Sequence, residues 1–307
     1  MRQHPFISSS TCSRAYLRTS SGSATHLRPR HRIATAPSII TADMPPTIHC
    51  VRHAQGYHNL STANHAIHDP LLTPYGEEQC RDLAKQFPYH AAVDCVVASP
   101  MKRTMFTALR GFGQDIDSKG LRVIALPQLQ ETSDLPCDTG STPAELAKEL
   151  EGKPVDLGLV PEGWNNKHGK WAPTPEAIDA RAREARQWLM ARPEKAIVVV
   201  THGAFLHELT EDYAGSRLFQ GTGWANTEFR SYTFVNPATT TAAEPAEARL
   251  VETPESRKRR LGNAGGAAAA SSQEEQAQLK RSTLQEWREK GYVEPGSDQS
   301  QTQAQAQ

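Results

Sequence analysis

Thr47-Ile-His-Cys-Val-Arg-His-Ala-Gln-Gly56 starts as a β-rich run and delivers Arg52 and His53 to its end, just ahead of a glycine. Comparable runs recur at Val93–Ala98, Arg122–Leu126 and Ala196–Thr201, the last followed by His202-Gly203. Helical patterns lie between them. Pro74 to Phe87 has proline near its start and Glu77 and Glu78 in its first turn, where the helix dipole favours acids. Pro175 to Ala191 spaces Ile178, Ala182, Ala185 and Leu189 along one apolar face. Strands alternating with helices predict an α/β fold, a three-layer α/β/α arrangement around a mostly parallel sheet. Ligands in such folds sit beyond the carboxyl ends of the strands, where His53 and His202 would meet.

Working outward, Phe229 to Val235 reads as a last strand at an edge, which places the folded domain at residues 45–236. Residues 1–44 carry six arginines and no acid before Asp43, a composition expected of a targeting presequence, a disordered extension or an over-extended start. Residues 237–307, rich in Ala, Glu, Ser and Gln, are expected to be a low-complexity tail, with Gly265–Ser272 as a linker and Gln273–Lys290 as a solvated helix. The 37% hydrophobic content suits a chain with substantial tails.

Lysine plus arginine equals aspartate plus glutamate at 34 each, so no global field draws the chain to nucleic acid or to an anionic membrane. No apolar run is long enough to span a bilayer. Five cysteines without C-x-x-C spacing fit neither a disulfide framework nor a zinc ribbon, and a reducing, cytoplasmic setting is expected, with mitochondria as the alternative that the arginine-rich N-terminus allows. Positive charge must therefore be local. Ser99-Pro-Met-Lys-Arg103, after the second strand, sets Arg103 in the first turns of a helix at the same rim, and guanidinium forks suit phosphate oxygens. The third strand leads to Glu131, a carboxyl placed to keep a proton and give it to a leaving alkoxide.

With these residues in order, roughly residues 47–235 resemble the histidine phosphatase superfamily, the phosphoglycerate-mutase-like proteins of fungal and plant type. The signature Arg-His-Gly stands here as Arg52-His53-Ala54; Asn59, the stretch Asp69–Glu78, Ser99–Ala108, Glu131 and His202-Gly203 match further positions. Ala54 departs from the motif, and alanine fits only if its φ is negative. The resemblance implies that His53 takes the phosphoryl group while Arg52, Arg103 and a cationic His202 neutralise its oxygens, that Asn59 binds substrate, and that Glu131 is the acid. It implies a small phosphorylated substrate, no cofactor and no metal; oligomeric state stays open. A neutral His53 needs an acceptor for its second N–H. Hydrolysis is the expected reaction, since Ala54-Gln-Gly-Tyr-His58 differs from the Gly-Glu-Ser of mutases. A phosphomutase and a non-catalytic phospholigand-binding module are the alternatives.

Smaller features have plain readings. His58, His65 and His68 match no metal-ligand pattern and are expected at the surface. Ser99 and Thr107 either touch phosphate or cap the helix. Gly163–Trp171 is either a cap bringing Lys167 or Lys170 to an anionic group or a loop whose tryptophans pack on the sheet. Arg257-Lys-Arg-Arg260 is expected to be solvated.

Overall fold

A computed structural model describes residues 45–216, 223–235, 248–267 and 272–289. The N-terminal extension to residue 44, with Cys12, and the last stretch of the tail lie outside them.

One seven-stranded sheet forms the centre. Its strands are β1 (Thr47–Arg52), β2 (Cys95–Ala98), β3 (Val123–Ala125), β4 (Val155–Asp156), β5 (Ala196–Thr201), β6 (Phe229–Phe234) and β7 (Leu250–Glu252), in the order β4-β3-β2-β5-β1-β6-β7. β1, β2, β3, β4 and β5 pair in parallel, whereas β6 runs antiparallel to both β1 and β7. Every residue of β2 and β5 is buried, as a strand covered on both faces requires.

Alternate residues of these strands feed two cores. Val51, Val96, Ala98, Val123, Val198 and Val200 pack under α1 (Pro74–Gln86), α2 (Lys102–Gly111), α3 (Gly113–Lys119) and α4 (Pro143–Glu149). Ile48, Cys50, Cys95, Val97, Ile197 and Val199 pack under α5 (Pro175–Met190) and α6 (Gly203–Thr210). That two-residue period, covered on both sides, gives the three-layer α/β/α architecture. The apolar face read for α5 is the buried one, and it also buries Arg181 and Arg186.

Two expectations are corrected. β6 is an interior strand, because the chain returns beyond residue 236 and adds β7, with Thr253 N–H donating to Ser231 O. The segment assigned to a tail also forms α7 (Pro254–Ala267), kinked at Gly262, while α8 (Gln273–Glu289) stands where a helix was expected but is packed rather than solvated. In β7 only Leu250 and Val251 are apolar, between Arg249 and Glu252, too short a run to read as a strand from sequence. α8 packs through Thr283, whose hydroxyl meets Ser216 Oγ at 2.5 Å, and through Lys280, which pairs with Glu208 at 2.7 Å. The basic run at 257–260 belongs to this packing: Arg260 pairs with Glu252 at 2.6 Å, and Arg259 lies over the Phe229 ring at 4.2 Å.

No helix among the described residues is long and apolar enough to cross a membrane.

Candidate active site

The carboxyl ends of β1, β2, β3 and β5 are held level by backbone bonds that continue past the strands. His53 N–H donates to Thr201 O, Ser99 N–H to Val200 O and Leu126 N–H to Ala98 O, at 2.9 to 3.0 Å. Because β5 lies between β1 and β2, the loops bearing His53, Ser99 and His202 are neighbours although 149 residues separate the two histidines in sequence. Their ring centroids are 5.2 Å apart.

His53 is almost fully buried. Its Nδ1 lies 2.7 Å from Ala54 O, so the proton sits there and Nε2 carries the lone pair. Arg103 Nε–H donates to that Nε2 at 3.3 Å. Burial first, then Arg103 and Arg52, push the imidazole well below its ordinary pKa and keep it neutral. Ala54 is not among the residues with positive φ, so the side chain costs the turn nothing. Its N–H donates to Thr107 Oγ1, and Thr107 in turn donates to Arg103 O, so one threonine couples the histidine turn to α2.

Arg103, fully buried, spends its fork on Cys137 O (2.5 Å) and Asp138 Oδ1 (2.9 Å). α2 begins at Met101 without a side-chain cap; Asp69 supplies the acceptor instead, taking Lys102 N–H on Oδ1 and both the N–H and hydroxyl of Ser141 on Oδ2. Arg52 Nη1 donates to Trp224 O at 2.5 Å, and Asn226 Nδ2 to His53 O at 2.9 Å, so residues 224–226 brace the two signature residues.

Glu131 reaches the cluster from beyond β3. Thr201 Oγ1 donates to Leu129 O and Arg181 donates to the carbonyls of Gln128, Gln130 and Glu131, which fixes the segment. The carboxyl accepts from Thr132, Ala204 and Phe205 N–H, the last two opening α6. Those donors and Arg103 favour the carboxylate, yet burial and the neighbouring Asp138 outweigh them and raise its pKa.

His202 stands 2.9 Å from Ser99 Oγ through Nε2, while its buried Nδ1 has no hydrogen-bond partner. Burial and Arg103 hold it well below its ordinary pKa, which favours a neutral ring over the cationic imidazole expected. The side-chain oxygen of Asn59 accepts from Gly56 N–H and shapes the turn after His53. Ser99 serves His202 rather than a helix cap.

Two site residues escaped the sequence reading. His58, expected at the surface, is buried, with its ring 5.3 Å from His53 and its Nδ1 unpartnered; the nearby His65 and His68 stay at least partly exposed. Asp138 is held by Arg103 and Ser133. Their only signal was proximity to motifs already noted. Lys167, which the sequence offered for an anionic group, is buried. Among the described residues, no three or more His, Cys, Asp or Glu side chains are grouped to hold a metal ion.

Residues 48–243 match the family model described as histidine phosphatase superfamily (branch 1). A probable phosphatase of Schizosaccharomyces pombe is 30% identical over 163 residues, 51% of this chain and 74% of that protein. A phosphoglycerate mutase-like protein of Arabidopsis thaliana is 29% identical over 208 residues, 54% of this chain and 74% of that one. Among solved structures, the ecdysone phosphate phosphatase of Bombix mori in complex with tungstate is similar at a TM-score of 0.46 and 16% identity, covering 64% of this chain and 94% of that chain. The family match spans the whole arc from β1 through β6, including every residue of the cluster, and the chain belongs to the histidine phosphatase superfamily.

Proposed function

We propose that the protein is a phosphomonoester hydrolase working through a phosphohistidine on His53 Nε2. The observation that carries this reading is the 2.7 Å contact of His53 Nδ1 with Ala54 O, which leaves Nε2 unprotonated among Arg52, Arg103 and His202.

Nε2 attacks phosphorus in line, forming the N–P bond as the ester P–O bond breaks. Arg52 and Arg103 offset the charge on the phosphoryl oxygens, and the N–H of His202 adds a neutral donor. Glu131, its pKa raised by burial and Asp138, gives its proton to the departing alkoxide. Water then attacks phosphorus, loses a proton to the Glu131 carboxylate, and the N–P bond breaks to release phosphate and restore both groups. The phosphatase name of the Schizosaccharomyces pombe relative supports hydrolysis over phosphoryl return.

The test is turnover of p-nitrophenyl phosphate with EDTA present, from pH 5 to 8. Activity in the wild type, lost in His53→Ala, is expected. An inactive wild type sinks the hydrolase reading, and activity retained by His53→Ala removes His53 as nucleophile.

A further inference from the structure

The turn that follows His53 folds a third histidine back toward it. Tyr57–Asn59 forms one 3-10 turn, in which Asn59 N–H donates to Gly56 O at 2.9 Å and Gly56 N–H to Asn59 Oδ1 at 3.0 Å. Tyr57 N–H donates to Leu71 O at 3.1 Å and ties the turn to the chain ahead of α1. His58, at the middle of this turn, is 7% exposed, and its ring lies 5.3 Å from that of His53.

Neither ring nitrogen of His58 has a hydrogen-bond partner among the described residues. Nδ1 is sealed from solvent, whereas Nε2 is not among the sealed atoms. An imidazole buried for packing alone is expected to have its N–H met, because an unmet buried donor is unfavourable and an apolar side chain would fill the same space without that penalty. Gly56 is fitted to this ring. Its backbone, at φ −98° and ψ 166°, is one that alanine adopts freely, yet a Cβ there would meet His58 Nδ1 at 2.8 Å and Cε1 at 2.9 Å. The imidazole, not the chain conformation, is what requires glycine.

The same contact assigns the tautomer. The Gly56 hydrogen in the Cβ direction points at the Nδ1–Cε1 edge, where a lone pair on Nδ1 leaves room and an N–H would collide. The ring's proton is therefore on Nε2. Burial first, then Arg103, His53, Arg52 and His65, hold the imidazole well below its ordinary pKa, so it is neutral and Nε2 acts as a donor. No carbonyl, carboxylate or hydroxyl of the described residues accepts from it. A phosphoryl group seated at His53 Nε2 brings acceptor oxygens beside the neighbouring ring.

Resting on the phosphatase reading above, we infer that His58 is a further substrate-binding residue, whose Nε2–H donates to an oxygen of the phosphoryl group that His53 receives. The substrate thereby supplies the acceptor that the protein lacks, and the close approach of His58 to Gly56 keeps the donor turned away from the backbone.

Inorganic phosphate, titrated calorimetrically into the full chain, reads this contact without turnover. The wild type is expected to bind it, and His58→Leu to bind it about 10- to 100-fold more weakly, the range of a hydrogen bond to a charged group. His58→Gln, which keeps an N–H at the end of the side chain, is expected to recover most of that loss. A wild type that takes up no phosphate overturns the inference, as does a folded His58→Leu that binds it equally well or a His58→Gln no better than His58→Leu. Long-range proton–nitrogen correlation spectra of the wild type need no variant to fold: a neutral His58 protonated on Nε2, with that resonance moved by phosphate, is expected. A proton on Nδ1, or an Nε2 resonance unmoved at saturation, overturns the assignment. The phosphatase reading fails separately, on the absence of p-nitrophenyl phosphate turnover, and phosphate affinity still decides the role of His58 in that case.

Discussion

A leaving group that departs without a proton has no use for a general acid, and this separates the two duties of Glu131. Glu131→Gln is expected to lower kcat on an alkyl phosphate by about 10²- to 10⁴-fold, the usual contribution of a placed acid. On p-nitrophenyl phosphate the same variant is expected to release a burst of nitrophenolate and then turn over slowly, because phosphohistidine forms but water lacks its base. Equal losses on both substrates with no burst would remove Glu131 from the reaction. The pH profile has a defined sense. His53 is held well below 6.5, so the nucleophile stays unprotonated into mild acid, and the acid limb of kcat/KM is expected below that value. Glu131 is raised above 4.5, so its proton is lost as pH climbs through the raised value and activity declines on that side. An acid limb above 6.5 in a pH titration of kcat/KM would contradict the buried, neutral ring. His53, Arg52, Arg103, Glu131 and His202 were legible because each lies just past a strand or in the first turn of a helix, and a parallel sheet brings such positions together. Asp138 and the Trp224 carbonyl were not legible. They reach the site from irregular segments, where no period or spacing fixes a direction.

The first turn of α1 presses on the loop that carries His53, the proposed nucleophile. A Cβ at Gly76 would meet Gln55 O at 2.1 Å and Gln55 C at 3.1 Å, a contact with backbone rather than with a flexible side chain. Alanine gains at most about 1 kcal/mol of helix propensity over glycine. Overpacking of this kind typically costs about 1–3 kcal/mol and here also shifts the Ala54–Gly56 turn whose carbonyl fixes the His53 tautomer. Gly76→Ala is therefore expected to lower both the melting temperature and kcat; an unchanged kcat in a folded variant would show that the turn absorbs the push without moving Ala54 O. Among elements, β1, β2, β3 and β5 could be read because each lies in an apolar, β-branched run of five or six residues, longer than the strand itself for β2 and β3, and α1 and α5 because proline, acids and apolar spacing agree. β4, with two residues, and β7, with three, are too short to show alternation. The start of α2 was unreadable in a further way, since its cap comes from Asp69, 33 positions earlier than the N–H it accepts.

The domain as a whole extends past the boundary that composition suggests. A chain ending at residue 236 would strip β7 from β6, remove Ser256 Oγ from Ser231 N–H, and leave Ser216 and Glu208 without Thr283 and Lys280. Such a chain is expected to be insoluble or to melt far below one ending at residue 290, as denaturation followed by circular dichroism would show; equal melting would return β7 to the status of a tail. Stability is also expected to fall from pH 7 to 5. His49, lowered to about 4, and His53, His58 and His202, lowered well below 6.5, bind protons less readily folded than unfolded, so acid favours the unfolded chain. Glu131 and Glu208, both raised, oppose this but are fewer. A flat melting temperature across that window would argue against the buried neutral rings. The sheet order also governs how the molecule is born. Among the described residues β1 is the first strand synthesised, yet its neighbours are β5 and β6, made much later. At ~5–20 residues per second, the wait from Arg52 to Ala196 is roughly 7 to 30 s, during which Ile48, Cys50 and Val51 emerge from the ribosome with nothing to pair with. The strand that carries the proposed nucleophile is thus the one that waits longest for its partners.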